Sequence, residues 1–305
     1  MKKWTLSATL LFITAALSAQ QNIDATLQVS STQRQYLLHL PTGYTAGKAW
    51  PLVIVFHGGG GNYKQMQRYM GMDAIADNNH FIIVYPNGVD KQWNDGREFK
   101  PSISANDDVE FINQLLDTLQ KNYSIDKKRV FATGISNGGF FSIYLSYKLS
   151  NRLLAVAPVC ASIPERILSE FYPAQPVSVL LINGTGDPLV PYNGGSVGNK
   201  LIGKRGNCTS TDTTIQRYIQ VNHTGASAAI TELPDNEKRD QCTATQYLYS
   251  GGSNHTRVCL IKISNGGHTL PGGSQYLPRL IIGKVCNDFK GNEMIWKFFS
   301  ECPNK

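Results

Sequence analysis

Gly134-Ile135-Ser136-Asn137-Gly138 sets a serine between two glycines, after the apolar run Val130 to Thr133 and ahead of the helix-like stretch Phe140 to Leu149. A serine at such a strand-to-helix turn has its hydroxyl held out above the sheet. The flanking glycines let neighbouring backbone come close, and the amides of a helix N-terminus favour negative charge beside it. The chemistry this fits is nucleophilic attack on a carbonyl carbon. The same letters recur at Gly194-Gly195-Ser196-Val197-Gly198, but Pro191-Tyr192-Asn193 precedes them and a basic, Gly-rich stretch follows. Ser196 therefore lacks the strand and helix that the turn requires, and Ser136 is the candidate.

A serine nucleophile needs a base, and the base needs an acid to orient it. In a strand-turn-helix framework both follow the serine, on loops leaving the carboxyl ends of later strands. The apolar run Val177 to Ile182 leads into Asn183-Gly184-Thr185-Gly186-Asp187-Pro188, and Val258 to Ile263 leads into Ser264-Asn265-Gly266-Gly267-His268. Asp187 and His268 are the expected acid and base. Asp212 and Asp235 are rival acids, but neither follows a strand-like run. Of six histidines, only His268 has both the order and the context.

The anion formed during acyl transfer needs hydrogen-bond donors. One is the N–H of Asn137, next after the serine. The other is expected from Gly58, Gly59 or Gly60 in Phe56-His57-Gly58-Gly59-Gly60-Gly61, which follows the run Leu52 to Phe56 and can turn N–H groups inward without side-chain obstruction. These glycines lack the Lys-Ser/Thr ending of a phosphate loop, so nucleotide binding is excluded. His57 reads as a loop-ordering residue.

The elements that must hold these loops follow from periodicity. Thr26 to Ser30 and Gln35 to Leu40 alternate as an opening hairpin would. Five continuous apolar runs, Leu52 to Phe56, Phe81 to Tyr85, Val130 to Thr133, Val177 to Ile182 and Val258 to Ile263, suit parallel strands covered on both faces. Helices are expected over Asp107 to Tyr123, with Val109, Ile112, Leu115, Leu116 and Leu119 on one stripe, and over Phe140 to Leu149 and Glu293 to Phe299. Residues 193–257 are rich in Gly, Thr, Asn and Ser, with only Thr211 to Val221 helix-like, and read as an insertion or cap. The class is α/β with a mostly parallel sheet and helices on both faces.

Residues 1–19 combine Lys2 and Lys3, an apolar run Leu6 to Leu17, and small residues Ser18-Ala19, as a cleaved export signal does. Residues 20–305 are then one catalytic domain, expected in a periplasm or outside the cell, with no membrane contact after cleavage. Of the formal charge of +7 over 305 residues, two units lie in the leader; the rest is scattered, so no nucleic-acid stripe exists. A 41% hydrophobic share excludes disorder. The six cysteines, Cys160, Cys208, Cys242, Cys259, Cys286 and Cys302, all follow the leader, where an oxidising compartment permits disulfides; no Cys-x-x-Cys pair suggests metal. Neither a metal nor another cofactor is expected.

With these residues in hand, the sequence resembles the secreted esterases that group polyhydroxybutyrate depolymerase-like proteins with feruloyl and acetylxylan esterases, within the α/β-hydrolase superfamily. The resemblance spans most of the chain. It rests on His57-Gly58-Gly59-Gly60, Tyr85-Pro86-Asn87-Gly88, Trp93, Asp107-Asp108-Val109, Arg129-Val130, Gly134 to Gly139, Gly186-Asp187-Pro188 with Val190-Pro191-Tyr192, and Gly266-Gly267-His268 with Pro271-Gly272-Gly273. It implies an α/β-hydrolase fold, a metal-free serine esterase and an acyl-enzyme. Such proteins usually carry Trp where this chain has Leu270, so Trp93 or Tyr192 is left to supply an aromatic wall; Trp93, Tyr192 and Leu270 are the expected substrate contacts. No binding module follows in this sequence, which favours soluble esters. The expected substrate is a feruloyl-type ester of plant cell-wall oligosaccharides, ahead of hydroxybutyrate oligomers and acetylated xylan. A catalytically silent sugar-binding protein on the same fold is the alternative of another class.

Overall fold

Apolar side chains on both sides of a strand need cover on both sides, and the central strands here have it. The computed structural model describes residues 21–97, 107–201 and 203–303, so the leader lies outside the described residues. The chain opens with the expected hairpin, β1 (Gln21–Val29) and β2 (Thr32–Leu40), followed by β3 (Trp50–Phe56), α1 (Tyr63–Met70), α2 (Asp73–Asn79) and β4 (Ile82–Pro86). Next come α3 (Asp108–Asn122), β5 (Ile125–Ile135), α4 (Asn137–Lys148), β6 (Ala155–Val159) and β7 (Ser178–Gly184). The last third holds β8 (Gly195–Asn199), β9 (Gly203–Cys208), α5 (Thr211–Asn222), β10 (Ala229–Glu232), β11 (Thr243–Tyr249), β12 (Val258–Ser264), α6 (Arg279–Ile282) and α7 (Gly291–Ser300).

Ten strands form one sheet in the order β1-β2-β4-β3-β5-β6-β7-β12-β11-β10. The six from β4 to β12 are mutually parallel, and antiparallel strands flank them at both ends. Alternate residues face opposite sides. Leu52, Ile54, Phe56, Val130 and Ala132 pack with Phe111, Leu115, Phe140 and Phe141 from α3 and α4. Val53, Val55, Phe131 and Ile182 pack on the other side with Met66 and Met70 of α1 and Ile295 and Phe299 of α7.

Residues 193–257 differ from the expected cap. β10 and β11 continue the main sheet through antiparallel pairing with β12, and α5 buries Ile215 and Tyr218 in the core. Only β8 and β9 stand apart, as a two-stranded ribbon. The polar composition that suggested a cap reflects an edge: β10 is exposed along its whole length, so its residues carry no apolar signature.

Candidate active site

β3, β5, β7 and β12 all run the same way, so the loops that follow them converge at one edge of the sheet. Ser136 follows β5 with φ 58° and ψ −125°, a backbone state that costs a non-glycine residue about 1–3 kcal/mol and persists only where the surroundings impose it. They do so here: the Ser136 N–H donates to Val159 O at 2.9 Å, and a Cβ on Gly134 would lie 2.7 Å from Phe56 O. A Cβ on Gly138 would press equally on the His57 carbonyl at 2.7 Å. Only glycine fits either position, which explains the motif's spelling.

The Asp187 and His268 loops are laced together. Gly186 N–H donates to Gly266 O at 2.9 Å, and Asn265 N–H to Thr185 Oγ1 at 2.9 Å. Asp187 Oδ1 accepts the amides of Leu189 and Val190 at 2.8 and 2.9 Å, which turns Oδ2 toward His268 Nδ1 at 2.7 Å. Both side chains are buried. With a carboxylate as partner, Nδ1 carries the proton and Nε2 is the free base. Cys160 bridges the halves of the site: it follows Val159, which holds Ser136, and its thiol lies within 4.8 Å of the donor atoms of both Asp187 and His268. No protein hydrogen bond occupies Ser136 Oγ or His268 Nε2 among the described residues.

The Gly58–Gly60 loop sits beside the serine, since a Cβ on Gly58 would lie 3.6 Å from Ser136 Cβ. Its N–H groups are not equivalent. Gly60 N–H donates to Lys91 O at 2.8 Å and is spent, which removes it from the expected oxyanion donors; Gly58 and Gly59 N–H have no protein partner among the described residues. Asn137 opens α4, where the first amides have no intrahelical acceptor. His57 orders the loop as expected: Nε2 accepts Gly88 N–H at 2.9 Å, so Nδ1 donates to Gly58 O at 2.8 Å. Burial pushes its pKa down to about 4, keeping the ring neutral.

The three expected substrate contacts are buried in this structure. Trp93 is fully buried, stacked on Phe141 at 5.1 Å with its indole N–H on His57 O at 3.0 Å. Tyr192 is buried with its hydroxyl on Asp212 Oδ1 at 3.2 Å, and Leu270 is buried with its N–H on Tyr69 Oη at 2.9 Å. All three stand next to the site in sequence but face the interior, because proximity along a loop does not fix which side a residue presents.

Sequence reasoning missed four other groups. The Asn137 side chain donates to Asp95 Oδ2 at 2.6 Å, and Tyr276 Oη donates to the His268 carbonyl at 3.0 Å. Arg205 and Gln92 flank Gly59, where a Cβ would lie 2.7 Å from Arg205 Nη1 and 2.8 Å from Gln92 Oε1. No motif marks Asp95, Tyr276, Gln92 or Arg205: the first three come from loops and Arg205 from β9, and the sequence does not state how these segments approach the site. The Asp108 carboxylate, at the start of α3, accepts from Arg34 Nη2 at 2.6 Å and Asn94 N–H at 2.7 Å, fixing the loop that carries Trp93.

The mostly parallel sheet with helices on both faces, and the loops of Ser136, Asp187 and His268 at its carboxyl edge, define an α/β hydrolase. Residues 44–232 match the phospholipase/carboxylesterase family, and the chain belongs to that family. It is 30% identical to NocK, an esterase by its name, of Nocardia uniformis subsp. tsuyamanensis, over 83% of this chain and 75% of NocK. It is 27% identical to feruloyl esterase B of Piromyces equi over 77% of this chain but only 42% of that protein, so it spans less than half of that relative's length. Among solved structures, acetyl xylan esterase from Aspergillus awamori superposes with a TM-score of 0.60 at 11% identity, over 83% of this chain and 94% of that one, a likeness of fold. Family and relatives together make this chain a carboxylic-ester hydrolase.

Proposed function

We propose that the chain is an exported serine esterase that works through an acyl-enzyme on feruloyl-type esters of plant cell-wall oligosaccharides. The observation that carries the mechanism is the 2.7 Å Asp187–His268 pair on loops that leave the same edge of the sheet as the turn holding Ser136 at φ 58°. Ser136 Oγ attacks the ester carbonyl and gives its proton to His268 Nε2, while Asp187 holds the ring and balances its charge. The anion is bound by the N–H of Asn137 and those of Gly58 or Gly59. Collapse expels the alcohol, which takes the proton back from His268. Water, deprotonated by His268, then releases the acid and restores Ser136.

The feruloyl preference draws on the resemblance of the Piromyces relative. A second reading, an acetyl-ester hydrolase, is favoured by the burial of Trp93, Tyr192 and Leu270, because an acetyl group needs no aromatic wall. Export rests on residues 1–19, and no helix among the described residues is long and apolar enough to cross a membrane. Hydrolysis of methyl ferulate, p-nitrophenyl acetate and a 3-hydroxybutyrate oligomer by wild type and Ser136→Ala tests the reading. The expected result is a preference for ferulate, lost in Ser136→Ala. Preference for acetate selects the second reading, and turnover of the hydroxybutyrate oligomer alone moves the protein to polyester degradation. Equal rates from both proteins on every ester would remove Ser136 from the mechanism.

A further inference from the structure

All six cysteines are buried free thiols in this structure. Two of them converge on Asp240: Cys242, at the entry to β11, has its thiol 3.7 Å from Asp240 O, and Cys286, in the loop after α6, has its thiol within 4.8 Å of an Asp240 carboxylate oxygen. Their backbones are clamped on both sides. Asp240 Oδ1 accepts Cys242 N–H at 2.7 Å while its Oδ2 accepts Asn287 N–H at 2.6 Å. Asp288 Oδ1 accepts the amides of Asn236 and Glu237 at 2.8 and 2.9 Å, and Lys284 Nζ donates to Gln241 Oε1 at 2.6 Å.

We propose that Cys242 and Cys286 are joined by a disulfide that braces the loop carrying His268. The segment holding Cys286 grips that loop at both ends: Lys284 O accepts Gly267 N–H at 2.8 Å, and Cys286 O accepts Gly272 N–H at 2.7 Å. A covalent tie from Cys286 to β11 therefore fixes the frame in which His268 sits to the edge of the sheet. The competing use of these residues is a metal, since ligand atoms of Asp240, Cys286 and Asp288 lie within 4.8 Å of one another. Three of the four carboxylate oxygens already accept backbone amides, which leaves a poor set for a cation.

The bond forms by exchange with a small-molecule disulfide such as oxidised glutathione, before the two segments close over the thiols. The Cys242 thiolate attacks one sulfur of that disulfide and expels a thiolate; the Cys286 thiolate then attacks Cys242 Sγ and expels the second. Two protein thiols are oxidised, one small disulfide is reduced to two thiols, and the protons follow the departing sulfurs.

The full chain is refolded with a glutathione redox pair, alkylated without reduction and digested with trypsin. Cleavage after Lys and Arg puts Cys242 alone in peptide 240–257 and Cys286 alone in 285–290. The expected product is these two peptides joined, lighter than their sum by two hydrogen atoms and separated by reductant. Reductant is also expected to lower the wild-type Tm by roughly 5–10 °C and to leave that of Cys242→Ser unmoved. Alkylation at both cysteines, linkage of either to another cysteine, or zinc retained by the purified protein with both thiols protected would each overturn the proposal. An equal Tm loss in wild type and Cys242→Ser would overturn the bracing role.

Discussion

Asn137 holds the Trp93 peptide from both sides: its Oδ1 accepts Trp93 N–H at 2.8 Å, and its Nδ2 donates to the Trp93 carbonyl at 3.0 Å. The residue that follows the nucleophile thus offers a backbone N–H to the site and, with its side chain, fixes the loop that closes over the turn. The same Nδ2 reaches Asp95, whose carboxylate is paired with Arg97 at 2.6 Å in a buried position.

Asn137→Ala keeps the backbone N–H and removes the clamp. The buried Trp93 N–H and carbonyl lose their partner, a cost of about 2–6 kcal/mol at about 1–3 kcal/mol for each orphaned group. Displacement of the loop should lower kcat/KM by roughly 10–100-fold. Thermal unfolding and steady-state kinetics on p-nitrophenyl acetate measure the two effects, and a variant as stable as wild type would mean that the clamp contributes nothing.

Ser136 separates stability from activity. Replacement by Gly relieves the φ 58° backbone and should raise stability by roughly 1 kcal/mol, while hydrolysis falls by about 10⁴-fold or more. Ser136→Ala should be as inactive but no more stable. A fluorophosphonate probe should label wild type only. If both variants unfold at the same temperature, the turn is not strained.

The strand-to-helix turn at Ser136 and the pairing of Asp187 with His268 were legible because the fold forces a pattern on them. Ser136, Asp187 and His268 each follow a continuous apolar run, and such runs stay buried whatever the loops do. For Trp93, Tyr192 and Leu270 the sequence offered a neighbourhood and no orientation, because loop paths decide which face a side chain shows. α1 escaped notice since only Met66 and Met70 of its eight residues are buried, and its start is set by Asn62 accepting Gln65 N–H rather than by an apolar stripe. The β6 strand, Ala155–Val159, is absent from the expected strands, because five residues carry too little period to distinguish strand from helix.

Asp187 has two tasks that two substitutions separate. Asp187→Asn retains an acceptor for the Leu189 and Val190 amides, so the loop should stay folded, but it favours the wrong tautomer of His268 and should reduce kcat by about 10⁴-fold. Asp187→Ala loses both tasks, and its Tm should fall below that of Asp187→Asn. Kinetics and thermal unfolding of the pair would contradict the assignment if Asp187→Asn kept more than a tenth of wild-type activity.

His57 gives the protein an acid sensitivity that can be traced to one ring. Its pKa falls from 6.5 in the unfolded chain to about 4 in the fold, chiefly because burial disfavours the charged form. Above pH 6.5 both states are neutral and the stability of the folded loop is intact. As pH falls from 6.5 toward 4 the unfolded chain takes up a proton that the folded one refuses, so stability is lost through that window, by roughly 3 kcal/mol in all. Below it both states are protonated, and this residue adds no further slope. His57→Gln keeps an acceptor for Gly88 N–H without a titrating group. Urea unfolding at pH 7 and at pH 4.5 should show a larger loss for wild type than for His57→Gln, and equal losses would show that the ring does not report on pH.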